Sequence, residues 1–143
     1  MKIDQASGFL IFRRFASQIE FLLMKHSDRW DLPKGQVENT ESLLETAYRE
    51  LEEETGIQKQ NIQWNPHFLY KATYAPTYSD TKPGEIEKTL YIYVARLLEE
   101  VEIQPTEHLS YKWFSWNPPH AVQLETIDPL LEKINKEEGL FFD

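Results

Sequence analysis

Seven glutamates crowd the 23 residues from Gly35 to Ile57, and five of them, Glu45, Glu50, Glu52, Glu53 and Glu54, fall within ten positions. Like charges at helical i,i+3 and i,i+4 spacing repel, so such a cluster costs stability unless something offsets it. At about 100° per residue, Glu50, Glu53 and Glu54 lie near 0°, −60° and 40° on a helical wheel and share one arc roughly 100° wide. Leu43, Leu44, Ala47 and Leu51 fall at about 20°, 120°, 60° and 100°, so the acidic arc borders the core-facing stripe. Glu52, at about 200°, faces away as plain surface. Three carboxylates on one rigid face suit Mg²⁺ or Mn²⁺, which take carboxylates, waters and substrate phosphates as ligands. The spacing alone leaves two readings open, a metal site and a solvated acidic face.

The elements that must hold this arc can be read around it. Ser42 with Glu45 three positions later is a capping-box pattern, and Gly56 stops the chain from continuing as helix, so a helix is expected from Ser42 to about Thr55. Upstream, "SGFLIFRR" and "IEFLLMKH" read as a hairpin turned at about Ala16–Gln18, the second strand carrying the apolar run of a buried strand. "RWDLPKGQVEN" reads as loop, punctuated by Pro33 and Gly35. Downstream, "IQWNPHFLYKATYA" and "KTLYIYVARLLE" read as strands, the latter alternating Leu90, Ile92 and Val94 against Tyr91, Tyr93 and Ala95. "PTYSDTKPGEIE" is a polar loop between them, "YKWFSW" is a short aromatic strand, and "HAVQLETIDPLLEKINKEEG" supplies helical segments interrupted by Pro129. Strands and helices intermix without a strict βαβ rhythm, which predicts a mixed sheet with helices packed on it.

Composition bounds the function. The 143 residues, 41% hydrophobic and 13% aromatic, are the size of a single domain spanning 1–143 with a proper core. No apolar run approaches 18 residues and no basic, apolar leader is present, so neither a membrane span nor a signal peptide is expected. Cysteine is absent, which excludes disulfides, thiol catalysis and cysteine zinc sites and fits a reducing cytoplasm. The formal net charge of −9 disfavours sequence-independent nucleic-acid binding but not anionic substrates that arrive with metal ions.

The fixed spacing carries a resemblance. Gly35, Glu41, Arg49-Glu50-Leu51, Glu53-Glu54 and Gly56-Ile57 match the signature of the Nudix hydrolase superfamily at nine specified positions. The resemblance implies a hydrolase of nucleoside diphosphates linked to another moiety, on an α/β/α sandwich with a mixed central sheet. It implies Glu50, Glu53 and Glu54 as metal ligands, with one among them a candidate base, and Glu41 and Arg49 as an orienting ion pair. A backbone carbonyl of Lys34 or Gly35 would add an oxygen ligand.

Outside this box, "SGFLIFRR", "IEFLL", Trp30 with Pro33-Lys34-Gly35, and Glu107-His108 with Tyr111-Lys112-Trp113 resemble the asymmetrical diadenosine tetraphosphate hydrolases. That likeness implies Glu107 as a further metal ligand or base. It implies Lys34 and Lys88 on polyphosphate oxygens, and Trp30 and the tyrosines Tyr70, Tyr74 and Tyr78 near the base. His108 is expected to be structural. Asn39-Thr40 and Leu32 depart from that branch's pattern and bear on nucleotide specificity. The competing readings are an RNA 5′-pyrophosphohydrolase, a nucleoside triphosphate pyrophosphatase and a non-catalytic nucleotide-sensing module. The last would be expected to lack box glutamates or the arginine, all of which stand here.

Overall fold

In a computed structural model of the chain, residues 2–74, 86–106, 108, 110–123 and 126–137 are described. The hairpin forms as β1 (Lys2–Phe15) and β2 (Gln18–Lys25), joined by Ala16 and Ser17, both at positive φ. Within the stretch expected as loop, β3 (Trp30–Asp31) and β4 (Lys34–Gln36) are short strands. Their partners create them: β4 lies antiparallel on Ala6–Gly8 of β1, and β3 on the end of β2. Then follow helix α1 (Leu43–Thr55), β5 (Ile62–Tyr74), β6 (Ile86–Leu97), β7 (Ser110–Ser115) and helix α2 (Ile127–Lys136).

The sheet runs β3-β2-β1-β6-β5, with β4 also on β1 and β7 on β2. β1 and β6 are parallel from Lys2↔Ile86 to Phe12↔Arg96, and the other pairings are antiparallel, so the sheet is mixed. Alternation along β1 sends Leu10 and Phe12 to one face and Phe9 and Ile11 to the other. The first face packs with Leu90, Ile92 and Val94 of β6 and Ile127, Leu130, Leu131 and Ile134 of α2. The second packs with Ala47 and Leu51 of α1. This is the expected sandwich, and because both faces of β1 are covered its sequence reads as an unbroken apolar run.

Pro129 does not interrupt a helix. It lies in the first turn of α2, after Thr126 at the cap, where the missing N–H has no intrahelical partner to lose. Helix α1 begins and ends as its sequence predicts. Ser42 accepts from the Glu45 N–H and Glu45 accepts from the Ser42 N–H, while Gly56 closes the other end at φ 82°. No helix among the described residues is long and apolar enough to cross a membrane.

Candidate active site

Strand β4 delivers the loop before α1 to the helix that carries the glutamates. Antiparallel neighbours share a face, so Gly35 opposite Ser7 turns toward α1 and Lys34 opposite Gly8 turns away from it. Ser7 fixes the same approach by donating to the Leu43 carbonyl at 2.7 Å. A Cβ on Gly35 would overlap the Glu50 carboxylate, so only glycine leaves room for that side chain.

Arg49 organises the acidic face. Its Nε donates to Glu41 Oε2 at 2.6 Å and its Nη2 to Glu41 Oε1 at 3.0 Å, a bidentate pair. Nη1 donates to Glu50 Oε1 at 2.9 Å and Glu53 Oε2 at 3.2 Å, and Nη2 also reaches the Gln36 carbonyl at 3.1 Å. All five guanidinium N–H groups thus have acceptors. Glu41 is held in turn by the Thr46 hydroxyl at 2.8 Å and the Glu38 N–H at 3.2 Å. The Arg49 hydrogen bond, helped by Thr46 and Glu38, lowers the Glu41 carboxyl from 4.5 to about 2. The same pairing raises Arg49 above its ordinary value. A depressed carboxyl stabilises the fold fully above pH 4.5, and that contribution disappears as the pH falls toward 2. Lysine cannot reproduce the fork. Arg49→Lys is therefore expected to lower kcat more than it changes KM in steady-state kinetics, because it lets the carboxylates drift without touching substrate.

The three box glutamates differ in setting. The Glu53 side chain is 57% exposed, Glu50 is 13% exposed, and Glu54 is buried. The wheel places all three beside the core stripe but does not foresee the burial of Glu54. That burial comes from His108, whose Nδ1 stands 3.5 Å from Glu54 Oε1. Glu52 is exposed, as expected. The donors offered by Glu50, Glu53, Glu54 and the β4 backbone are all oxygen, and the space Gly35 leaves for Glu50 brings carboxylate and loop into contact. This donor set fits a hard divalent cation.

Lys34 and Lys88 stand near enough for their charges to interact. Burial lowers the Lys88 amine, the nearby Lys34 charge lowers it further, and Asp4 and Asp31 oppose the shift. Lys34 Nζ itself lies 3.5 Å from Asp31 Oδ1. Tyr74 is the cross-strand neighbour of Lys88 and Tyr70 that of Ile92. Tyr74 is exposed, whereas Tyr70 packs on the α2-side core, where burial raises its phenol. Trp30 belongs to that same core, edge-on to Phe114 at 4.9 Å with Lys25 over its ring at 4.7 Å. Tyr78 and Glu107 lie outside the described residues. Sequence reasoning passed over Asp31 and His26, and nothing local marks them, since their neighbours come from β2, β3 and the segment before β7.

The NUDIX domain family matches residues 4–135. The asymmetrical bis(5′-nucleosyl)-tetraphosphatase of Rattus norvegicus is 34% identical over 146 residues, covering 94% of this chain and 92% of the relative. A crystal structure of a C. elegans Ap4A hydrolase binary complex superposes with a TM-score of 0.81 at 27% identity, covering 96% of this chain and 99% of that one. An RNA pyrophosphohydrolase of Bartonella tribocorum is 33% identical over 98 residues, 61% of this chain and 57% of the relative. With Glu50, Glu53 and Glu54 on α1 and Arg49 saturated among them, the chain belongs to the Nudix hydrolase family, as an enzyme acting on pyrophosphate bonds.

Proposed function

We propose that the chain hydrolyses diadenosine tetraphosphate asymmetrically, water attacking the fourth phosphorus from the adenosine that leaves as ATP, so that the products are ATP and AMP. The observation that carries this reading is that Lys34 and Lys88 stand near enough for their charges to interact, with Lys34 Nζ 3.5 Å from Asp31 beside the box. Two cations beyond the carboxylates suit a polyphosphate longer than the box alone can hold. Similarity to the rat tetraphosphatase over nearly the whole of both chains supports it.

In this reading Glu50, Glu53 and Glu54, with Glu107 and the Lys34 backbone carbonyl, hold Mg²⁺ or Mn²⁺. Such an ion, when bound, neutralises polyphosphate charge and lowers the pKa of coordinated water. The protein's own residues do the rest. Arg49 and Glu41 keep Glu50 and Glu53 in register, a carboxylate among Glu50, Glu54 and Glu107 takes the proton from the attacking water, and Lys34 and Lys88 bind phosphate oxygens. In this reading Tyr74, the cross-strand neighbour of Lys88, meets a base, with Tyr70 and Tyr78 as further candidates and Trp30 also binding substrate. The reaction consumes one water, breaks one P–O bond and leaves the bridging oxygen on ATP.

The test is a panel of diadenosine tetraphosphate, nucleoside triphosphates, sugar nucleotides and triphosphorylated RNA in ¹⁸O-labelled water. Label in AMP, with ATP as co-product, is expected. Two ADP as the only products would overturn the asymmetrical reading. Preference for RNA would favour the second reading, a 5′-pyrophosphohydrolase, which the likeness to the Bartonella enzyme supports. Lys88→Met should impair tetraphosphate cleavage more than hydrolysis of a short diphosphate, and equal losses on both would count against an extended-chain site.

A further inference from the structure

Beside the box, three residues converge that the reaction above does not use as ligands. His26 Nε2 lies 3.5 Å from Asp31 Oδ2, and His108 Nε2 lies 3.9 Å from the same oxygen. One ligand atom from each residue falls within 4.8 Å of the other two, and the two imidazoles meet edge to face at 4.7 Å. Asp31 and His108 are buried, while the His26 side chain is 38% exposed at the mouth.

We propose that His26, Asp31 and His108 form a second cation site, one that takes Zn²⁺ or another divalent transition ion that favours imidazole. Donors around a tetrahedral Zn²⁺ with bonds of about 2.0–2.2 Å stand roughly 3.3–3.5 Å apart, so small side-chain shifts would close this set around an ion. The surroundings are those of a ligand set. Asp31 Oδ1 is engaged by the Leu32 N–H at 2.8 Å and faces Lys34 Nζ at 3.5 Å, which leaves Oδ2 directed at both imidazoles.

His108 supplies an independent argument. Its Nδ1 faces Glu54 Oε1 at 3.5 Å and its Nε2 faces Asp31 Oδ2 at 3.9 Å, so two carboxylates flank one buried imidazole. Two nitrogens and one oxygen separate this site by chemistry from the all-oxygen box. An ion here would bind the same imidazole that faces Glu54 and so link the two sites.

Chelator-stripped protein in saturating Mg²⁺ would be titrated with Zn²⁺ by calorimetry and with Co²⁺ by visible absorption. One equivalent per chain is expected, with the visible bands of imidazole-bound Co²⁺. His26→Ala, at a half-buried position, should keep the wild-type Tm within a few degrees and weaken Zn²⁺ binding at least ~10²-fold, as loss of a ligand does. Asp31→Asn should weaken it too, and Glu53→Gln should leave it unchanged. No Zn²⁺ binding against Mg²⁺ would overturn the proposal. Binding indifferent to both His26→Ala and Asp31→Asn, or abolished by Glu53→Gln, would overturn it equally.

Discussion

Gly35→Ala is expected to leave the chain folded and to reduce turnover at least ~10²-fold, the scale of loss when a reacting group is displaced by about 1 Å. The three atoms nearest an added methyl at this position all belong to the Glu50 carboxyl group. The far end of a flexible side chain can yield, so the cost falls on Glu50 rather than on the sheet. Once displaced, Glu50 leaves Arg49 Nη1 and the oxygen-lined space beside β4. Gly8 is the contrasting control. A methyl there meets the Pro33 carbonyl and the Lys34 Cα, so Gly8→Ala should lower Tm as well as activity. Thermal denaturation and kcat measured on both variants separate the two effects, and a fully active Gly35→Ala enzyme would refute the role given to Glu50.

Glu50→Gln and Glu54→Gln are each expected to lose at least ~10²-fold in kcat with Mg²⁺, the range for removing a ligand or a catalytic base. Their stabilities should differ. Glu54 is buried beside His108, so its substitution disturbs a buried polar contact and costs about 1–3 kcal/mol, whereas the half-buried Glu50 has solvent to fall back on. Glu52→Gln, on the exposed side of α1, should be silent in both measurements. Near-normal rates in both Glu50→Gln and Glu54→Gln would end the metal-carboxylate reading of the box.

The legible parts of the molecule are those whose causes are local. Ser42, Glu45 and Gly56 define α1 because capping geometry is set within a few residues, and each forms as its type predicts. The alternation of Leu90, Ile92 and Val94 gives the inward face of β6, since strand period needs no partner to be seen. The Glu41–Arg49 pair is likewise within reach along one helix and its lead-in loop. Strands of two and three residues are different. Trp30–Asp31 and Lys34–Gln36 pair only because β2 and β1 offer edges, and Pro33 and Gly35 locally argue for loop. The burial of Glu54 was hidden for the same reason, because the histidine that covers it arrives from just before β7.

The parallel ladder between β1 and β6 has a consequence for how the protein is made. Its partners, from Lys2↔Ile86 to Phe12↔Arg96, are distant along the chain, and the long loop between them must close before any of those bonds forms. A chain emerging from the ribosome exposes β1, β4 and α1 well before β6. Gly35 can therefore meet Glu50, and Arg49 its five acceptors, on a sheet that still has an open edge. Lys34 gains Lys88 only when that last central strand docks. The half of the site that carries the carboxylates can be in place early, and the half that carries Lys88 waits for a long-range closure.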